Sequence, residues 1–193
     1  MPKVKLFNEQ EVLQKAMILF WTKGYHDTSI QDLTQHLGIS RSSLYDTFGG
    51  KKNLYHKAFN LYIAISKSKG EEFLKGGKDV KQLLRGFFSK VLHQDQNDPS
   101  CKGCFVVNTT TELLPSDSKL QEEVSQHSTN MKASFLCILS MGVETGQIPK
   151  EKDIKSIASL LYTALSGFRV LGKTKLKIED SMKDVDTLLQ LLD

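Results

Sequence analysis

The chain has 193 residues, of which 39% are hydrophobic and 25% charged, with a formal net charge of +4. That balance is one of a folded globular protein and excludes a disordered or low-complexity chain; the length allows one or two domains around a substantial core. No apolar run approaches the ~20 residues of a membrane span, and Met1-Pro2-Lys3-Val4-Lys5-Leu6-Phe7 lacks the apolar centre of a signal peptide.

Phe7-Asn8-Glu9-Gln10-Glu11-Val12 opens a helix: Asn8 caps, Glu11 reaches back, and Phe7 packs on Val12. Val12, Leu13, Ala16, Leu19 and Phe20 then recur at helical spacing as far as Gly24. Trp21 reads as a half-exposed packing residue with no further role. Thr28 or Ser29 offers a cap to a second helix, whose inner face is Ile30, Leu33 and Leu37. Gly38 supplies a left-handed exit, Ser40 restarts a helix, and Leu44 and Phe48 turn it back onto the previous one. Two short helices across a glycine turn are a helix-turn-helix, the layout that sets its second helix into the DNA major groove.

The outer face of that second helix carries Arg41, Ser42, Tyr45 and Asp46. Arginine pairs with guanine, serine bonds several base edges, and a tyrosine hydroxyl reaches phosphate. An acid such as Asp46 is unfavourable beside phosphates unless it accepts from cytosine. Residues 1–57 hold eight Lys and Arg against five Asp and Glu, so most of the basic excess lies with this motif. After Gly49-Gly50, Lys51 and Lys52 stand at a helix start, where the dipole disfavours cations unless an anion is bound beside them. Lys51 is therefore a phosphate clamp and Lys52 a solvated lysine.

Ala16-x-x-Leu19-Phe20-x-x-x-Gly24-Tyr25, Thr28-Ser29-Ile30, Leu37-Gly38-Ile39-Ser40 and Leu44-Tyr45-x-x-Phe48-x-x-Lys51-x-x-Leu54 together resemble the DNA-binding domain of the tetracycline-repressor (TetR) family of bacterial transcription regulators. The resemblance implies an all-α homodimer: a three-helix DNA-binding domain at residues 1–50, then a helical ligand-binding and dimerisation domain at 51–193. It assigns Thr28 and Ser29 to the DNA backbone, Arg41, Ser42 and Tyr45 to the recognition face, and Lys51 to a phosphate. Asp46 and Thr47 stand where members often carry tyrosine or histidine, and Gly50 where serine or aspartate often caps the fourth helix.

The fourth helix runs from Lys51 past Tyr62, and Gly76-Gly77 marks the clearest later break. A fifth spans about Val80 to His93, and residues 94–100 are a loop by composition. Phe105-Val106-Val107 and the threonines after it suggest a strand by propensity, but the resemblance implies a short inner helix beginning Gly-Cys. Cys101-x-x-Cys104 has no second pair to complete a zinc site and no βαβ setting for dithiol chemistry. Cys104, at a helix start near Lys102, is either a packed thiol or a redox sensor. Three cysteines, an odd number, fit a reducing cytoplasm.

Helices follow from Ser116 to about Met141, from about Asp153, and near Ser181. In the family the last two pair with their mates in a four-helix bundle, which makes Leu161, Leu165, Phe168, Leu188 and Leu192 dimer-interface candidates. The implied ligand cavity is walled by Phe87, Phe105, Asn108, His127, Met131 and Tyr162, a mainly apolar and aromatic set that suits an apolar or amphipathic molecule. The expected partners are double-stranded operator DNA, a small-molecule inducer and a second copy of the chain, with no metal or cofactor. The competing switch is thiol or electrophile modification of Cys104. No His-Glu-x-x-His, Gly-x-Gly-x-x-Gly, phosphate loop or nucleophile elbow supports an enzyme.

Overall fold

The computed structural model describes residues 7–74, 79–114, 116–174 and 177–193; among them every regular element is a helix. Three short helices lead: α1 (Glu9–Lys23), α2 (Ile30–Leu37) and α3 (Arg41–Phe48). The long α4 (Lys51–Leu74) carries the chain to α5 (Val80–Gln96), α6 (Phe105–Glu112), α7 (Ser118–Glu144), α8 (Ile154–Leu171) and α9 (Ile178–Leu189). The break expected at Gly76-Gly77 lies outside the described residues.

The starts and stops follow local chemistry. Asn8 accepts from the amides of Gln10 and Glu11, and Ser40 from that of Ser43. Ser29 and Asp32 form a reciprocal capping box at α2, while Gly38 and Gly49 close α2 and α3 at φ values of 68° and 76°. α6 is a helix despite its strand-forming composition. The hydroxyls of Thr109 and Thr110 donate to the carbonyls four residues back, both at 2.8 Å, so its threonines are absorbed into the helix. α5 continues through residues 94–96, expected as loop, because Asp95 is buried there and receives the Arg169 guanidinium at 2.5 Å.

Two buried clusters divide the molecule. The first joins α1, α2 and α3 to Leu54, Tyr55, Ala58 and Phe59 of α4, and to Phe105 and Val106 of α6. Its packing therefore runs well past residue 50. The second lies among α5, α7, α8 and α9. A bidentate Arg85–Asp186 pair, at 2.6 and 3.1 Å, ties α5 to α9.

One helix passes a length-and-hydropathy test for a membrane span although charged residues interrupt its apolar run. Residues Ile154–Thr174 make a 21-residue helical segment with mean hydropathy 1.2, long and apolar enough to span a bilayer on those criteria alone. Its two-sided apolar character explains this. Ala158, Leu161, Leu165 and Phe168 face the protomer core, while Leu160, Val170 and Leu171 are exposed.

The Ser29 hydroxyl, its amide and the Lys23 ammonium hold the Asp32 carboxyl well below the usual carboxylate range. A carboxylate held down supports the fold above its unfolded pKa, and that support drains away as pH falls through the folded value. Ser29→Ala is expected to cost about 1 kcal/mol at neutral pH, as loss of an N-cap does. Urea denaturation should show the deficit shrinking in acid, where Asp32 no longer contributes.

Candidate nucleic-acid interface and cavity

α3 presents Arg41, Ser42, Tyr45 and Asp46 to solvent, all exposed on one side of the helix, while Leu44 and Phe48 anchor the other. The Arg41 guanidinium lies 5.8 Å from the centre of the Tyr45 ring. That ring passes over Gly50, whose φ is +104° and where a Cβ would come within 3.2 Å of Tyr45 Cε1. Glycine in place of a capping residue thus makes room for Tyr45.

The flanking residues behave unequally. Ser29 is exposed, but its hydroxyl is engaged with Asp32 at 2.7 Å. Thr28, expected at the DNA backbone, is fully buried, and its hydroxyl donates to the Gly24 carbonyl at 2.6 Å. It shapes the α1–α2 turn and has no surface to offer a phosphate. Lys51 Nζ lies 4.2 Å from the Tyr25 ring centroid. Burial lowers its pKa against the opposing pull of Glu112, Asp27 and Asp32. Lys52, expected to be merely solvated, pairs with Asp117 at 2.9 Å. Burial alone would raise the Asp117 carboxyl, but Lys52, the Leu120 amide and His56 outweigh it and hold it at about 2.

A cavity of about 980 Å³ lies between the C-terminal helices, α4 and α1. Phe87, His127, Met131 and Tyr162 line it as expected. Burial lowers the pKa of His127, which favours a neutral imidazole in that wall. Phe105 and Asn108 do not line it. Phe105 is buried edge-to-face among Tyr55, Phe59 and Tyr62, with ring centroids 5.4 to 5.7 Å apart. Asn108 fastens a loop, donating to the Lys102 carbonyl at 2.9 Å and accepting from Lys173 at 2.6 Å.

Sequence patterning gives no sign of several other lining residues. Met17 and Trp21 of α1 reach the cavity, as do Tyr62, Cys104 and Arg169. The Tyr62 hydroxyl donates to Cys104 Sγ at 3.6 Å, and burial holds the tyrosine neutral to high pH. Arg169 pairs with Asp95, whose own pKa burial raises even against that arginine. Cys104 is half-buried at the start of α6, and its side chain makes no capping bond there.

The interface candidates fall mostly inside the protomer. Leu161, Leu165, Phe168 and Leu192 are buried in its own core, and Leu188 is half-buried. The more open stripe of α8 lies one residue round the helix: exposed Leu160, Gly167 and Leu171 with half-buried Ile157 and Ala164, at i+3, i+10 and i+14 and at i and i+7. Side chains one position apart on a helix point about 100° from each other, so the shift moves the stripe from core to surface.

Residues 12–58 match the family described as "Bacterial regulatory proteins, tetR family", and residues 81–181 match "Tetracyclin repressor-like, C-terminal domain". The chain is 29% identical to the uncharacterized HTH-type transcriptional regulator YezE of Bacillus subtilis, over the full length of both. It is 26% identical to the HTH-type transcriptional repressor ComR of Escherichia coli, covering 97% of this chain and 90% of that one. Among solved structures it resembles a cysteine mutant of the TetR family regulator CifR in complex with 26-bp operator DNA. The TM-score there is 0.87 at 22% identity, covering 99% of this chain and all of the other.

Arg41→Ala is expected to weaken binding to a duplex selected from a random pool by about 1–3 kcal/mol and to relax base choice at one position per half-site. Lys51→Ala should weaken all sequences alike and flatten the salt dependence. Fluorescence anisotropy across a salt series separates the two outcomes.

Proposed function

The chain belongs to the TetR family of bacterial regulatory proteins, and we propose that it is a cytoplasmic, dimeric repressor released from a palindromic operator by a small apolar or amphipathic molecule. The observation that carries this reading is the cavity of about 980 Å³, placed within one protomer between the bundle helices and α1. A molecule that fits the cavity better in one arrangement of the domains draws the protein toward that arrangement. Operator affinity then falls only by the ligand's preference between the two.

The DNA partner is supported by the solvent-facing Arg41, Ser42, Tyr45 and Asp46, with Ser29 and Lys51 flanking them. Each recognition helix reads only a few base pairs, and two of them about a helical turn apart read a palindrome. The second copy is supported by the open stripe of α8. Leu160 and Leu171 are 45% and 46% exposed, while Ala164 and Gly167 between them allow close helix approach.

A second reading is favoured by one specific contact. Cys104 lines the cavity and receives the Tyr62 hydroxyl, so oxidation or alkylation there would place bulk where a ligand would sit.

Leu160→Asp with Leu171→Asp is expected to convert the protein to monomers in sedimentation velocity. Its affinity for the selected palindrome should drop about a hundredfold, the gain that linking two sites normally supplies; a variant that stays dimeric would refute the interface. Diamide treatment separates the switches. Loss of operator binding by the parent but not by Cys104→Ser supports the thiol reading, and retention by both supports the ligand reading.

A further inference from the structure

We propose that Trp21 is the residue through which the DNA-binding domain reads the contents of the cavity. The inference rests on the cavity being the inducer site, and it adds the part that connects the site to the helix-turn-helix.

Several bonds join the two halves of the protomer. The His26 amide donates to Glu112 at 2.7 Å, the Tyr55 hydroxyl meets Thr109 at 2.8 Å, and Lys52 and His56 meet Asp117 at 2.9 and 3.2 Å. None of those residues lines the cavity. Two contacts both join the halves and line the cavity, Tyr62 with Cys104 and Trp21 with Gly103, and Trp21 is the one carried by α1. Its indole Nε1 donates to the Gly103 carbonyl at 3.0 Å, and Lys102 Nζ sits 5.3 Å from its ring centroid. Its ring packs edge-to-face on Tyr62 at 4.9 Å, and Tyr62 in turn bonds Cys104. Lys102, Gly103, Cys104 and Tyr62 are themselves cavity wall.

The loop that Trp21 grips is under tension. Cys101 has a φ of +48°, a left-handed conformation that is unfavourable for a non-glycine residue and persists only while its surroundings enforce it. Asp98 enforces it from below, accepting from Ser100, from the Lys102 amide and from Lys102 Nζ at 2.6 to 3.1 Å. Trp21 enforces it from above. A body in the cavity that displaces the indole from Gly103 releases the loop and frees α1 at one stroke. Because α1 packs on both α2 and α4, the recognition helix moves with it.

A double-mutant cycle tests this without knowledge of the natural ligand. Cys104→Phe and, separately, Ser166→Leu place an occupant in the cavity genetically, and each is combined with Trp21→Phe. Operator affinity is measured by anisotropy on the selected palindrome, and folding is checked by circular dichroism. With Trp21 present an occupant is expected to lower affinity about tenfold, within the span of single coupling elements, and in the Trp21→Phe background less than about twofold. Equal losses in both backgrounds would overturn the role of Trp21 while leaving the cavity reading intact. No loss in either background would overturn the cavity reading and this inference with it. Should Trp21→Phe fold poorly, Trp21→Tyr keeps a larger ring while removing the indole N–H that reaches Gly103, and the same pattern of losses decides.

Discussion

The Tyr55 hydroxyl is buried, and the structure is arranged to satisfy it. An unpaired buried hydroxyl costs on the order of 1–3 kcal/mol. Here Thr109 gives its own proton to the Phe105 carbonyl and is left to accept from Tyr55. The tyrosine ring meets Phe20 of α1 at 5.0 Å, Tyr25 of the α1–α2 turn at 5.1 Å and Phe105 of α6 at 5.4 Å, each edge to face. One side chain on α4 therefore sets the position of α6 against α1. The short inner helix cannot slide or rotate without orphaning that hydroxyl and opening the aromatic cluster. Tyr55 thus links α4 at one point to α1, to the α1–α2 turn and to α6.

From that anchor the two ends of the molecule diverge in character. Toward the N-terminus, caps and glycines fix short helices and leave a polar face outward, aimed by close contacts such as Tyr45 on Gly50. Toward the C-terminus, long helices enclose an apolar space whose charged groups are mostly paired in place, Arg169 with Asp95 and Lys102 with Asp98. Gly172 belongs to this arrangement, since a Cβ there would lie 3.1 Å from that of Asp95.

What was legible in the sequence was what local chemistry decides. Asn8, Ser29, Gly38 and Ser40 mark helix ends within a few residues of their partners, so α1, α2, α3 and the exposed polar face of α3 could be read directly. Thr28 misled because serine and threonine at a helix start look alike on paper, and only the fold shows which hydroxyl has turned inward to Gly24. On α8 the apolar residues are abundant on both sides, so composition names a sticky helix without saying which stripe the protomer consumes. Phe105 and Asn108 were correctly placed on a helix, but which way that helix turns is set by Tyr55 and Lys173, far along the chain. Trp21 gave no signal at all: its partner Gly103 lies 82 positions away.

The contact between Tyr45 and Gly50 ties changes at the two positions together. Replacing the glycine with a better cap for α4 would bring a Cβ within 3.2 Å of the Tyr45 ring on a backbone held at +104°; replacing the ring with something smaller would leave that glycine without its neighbour. Positions 45 and 50 are therefore sterically coupled: what either one tolerates depends on the size of the other.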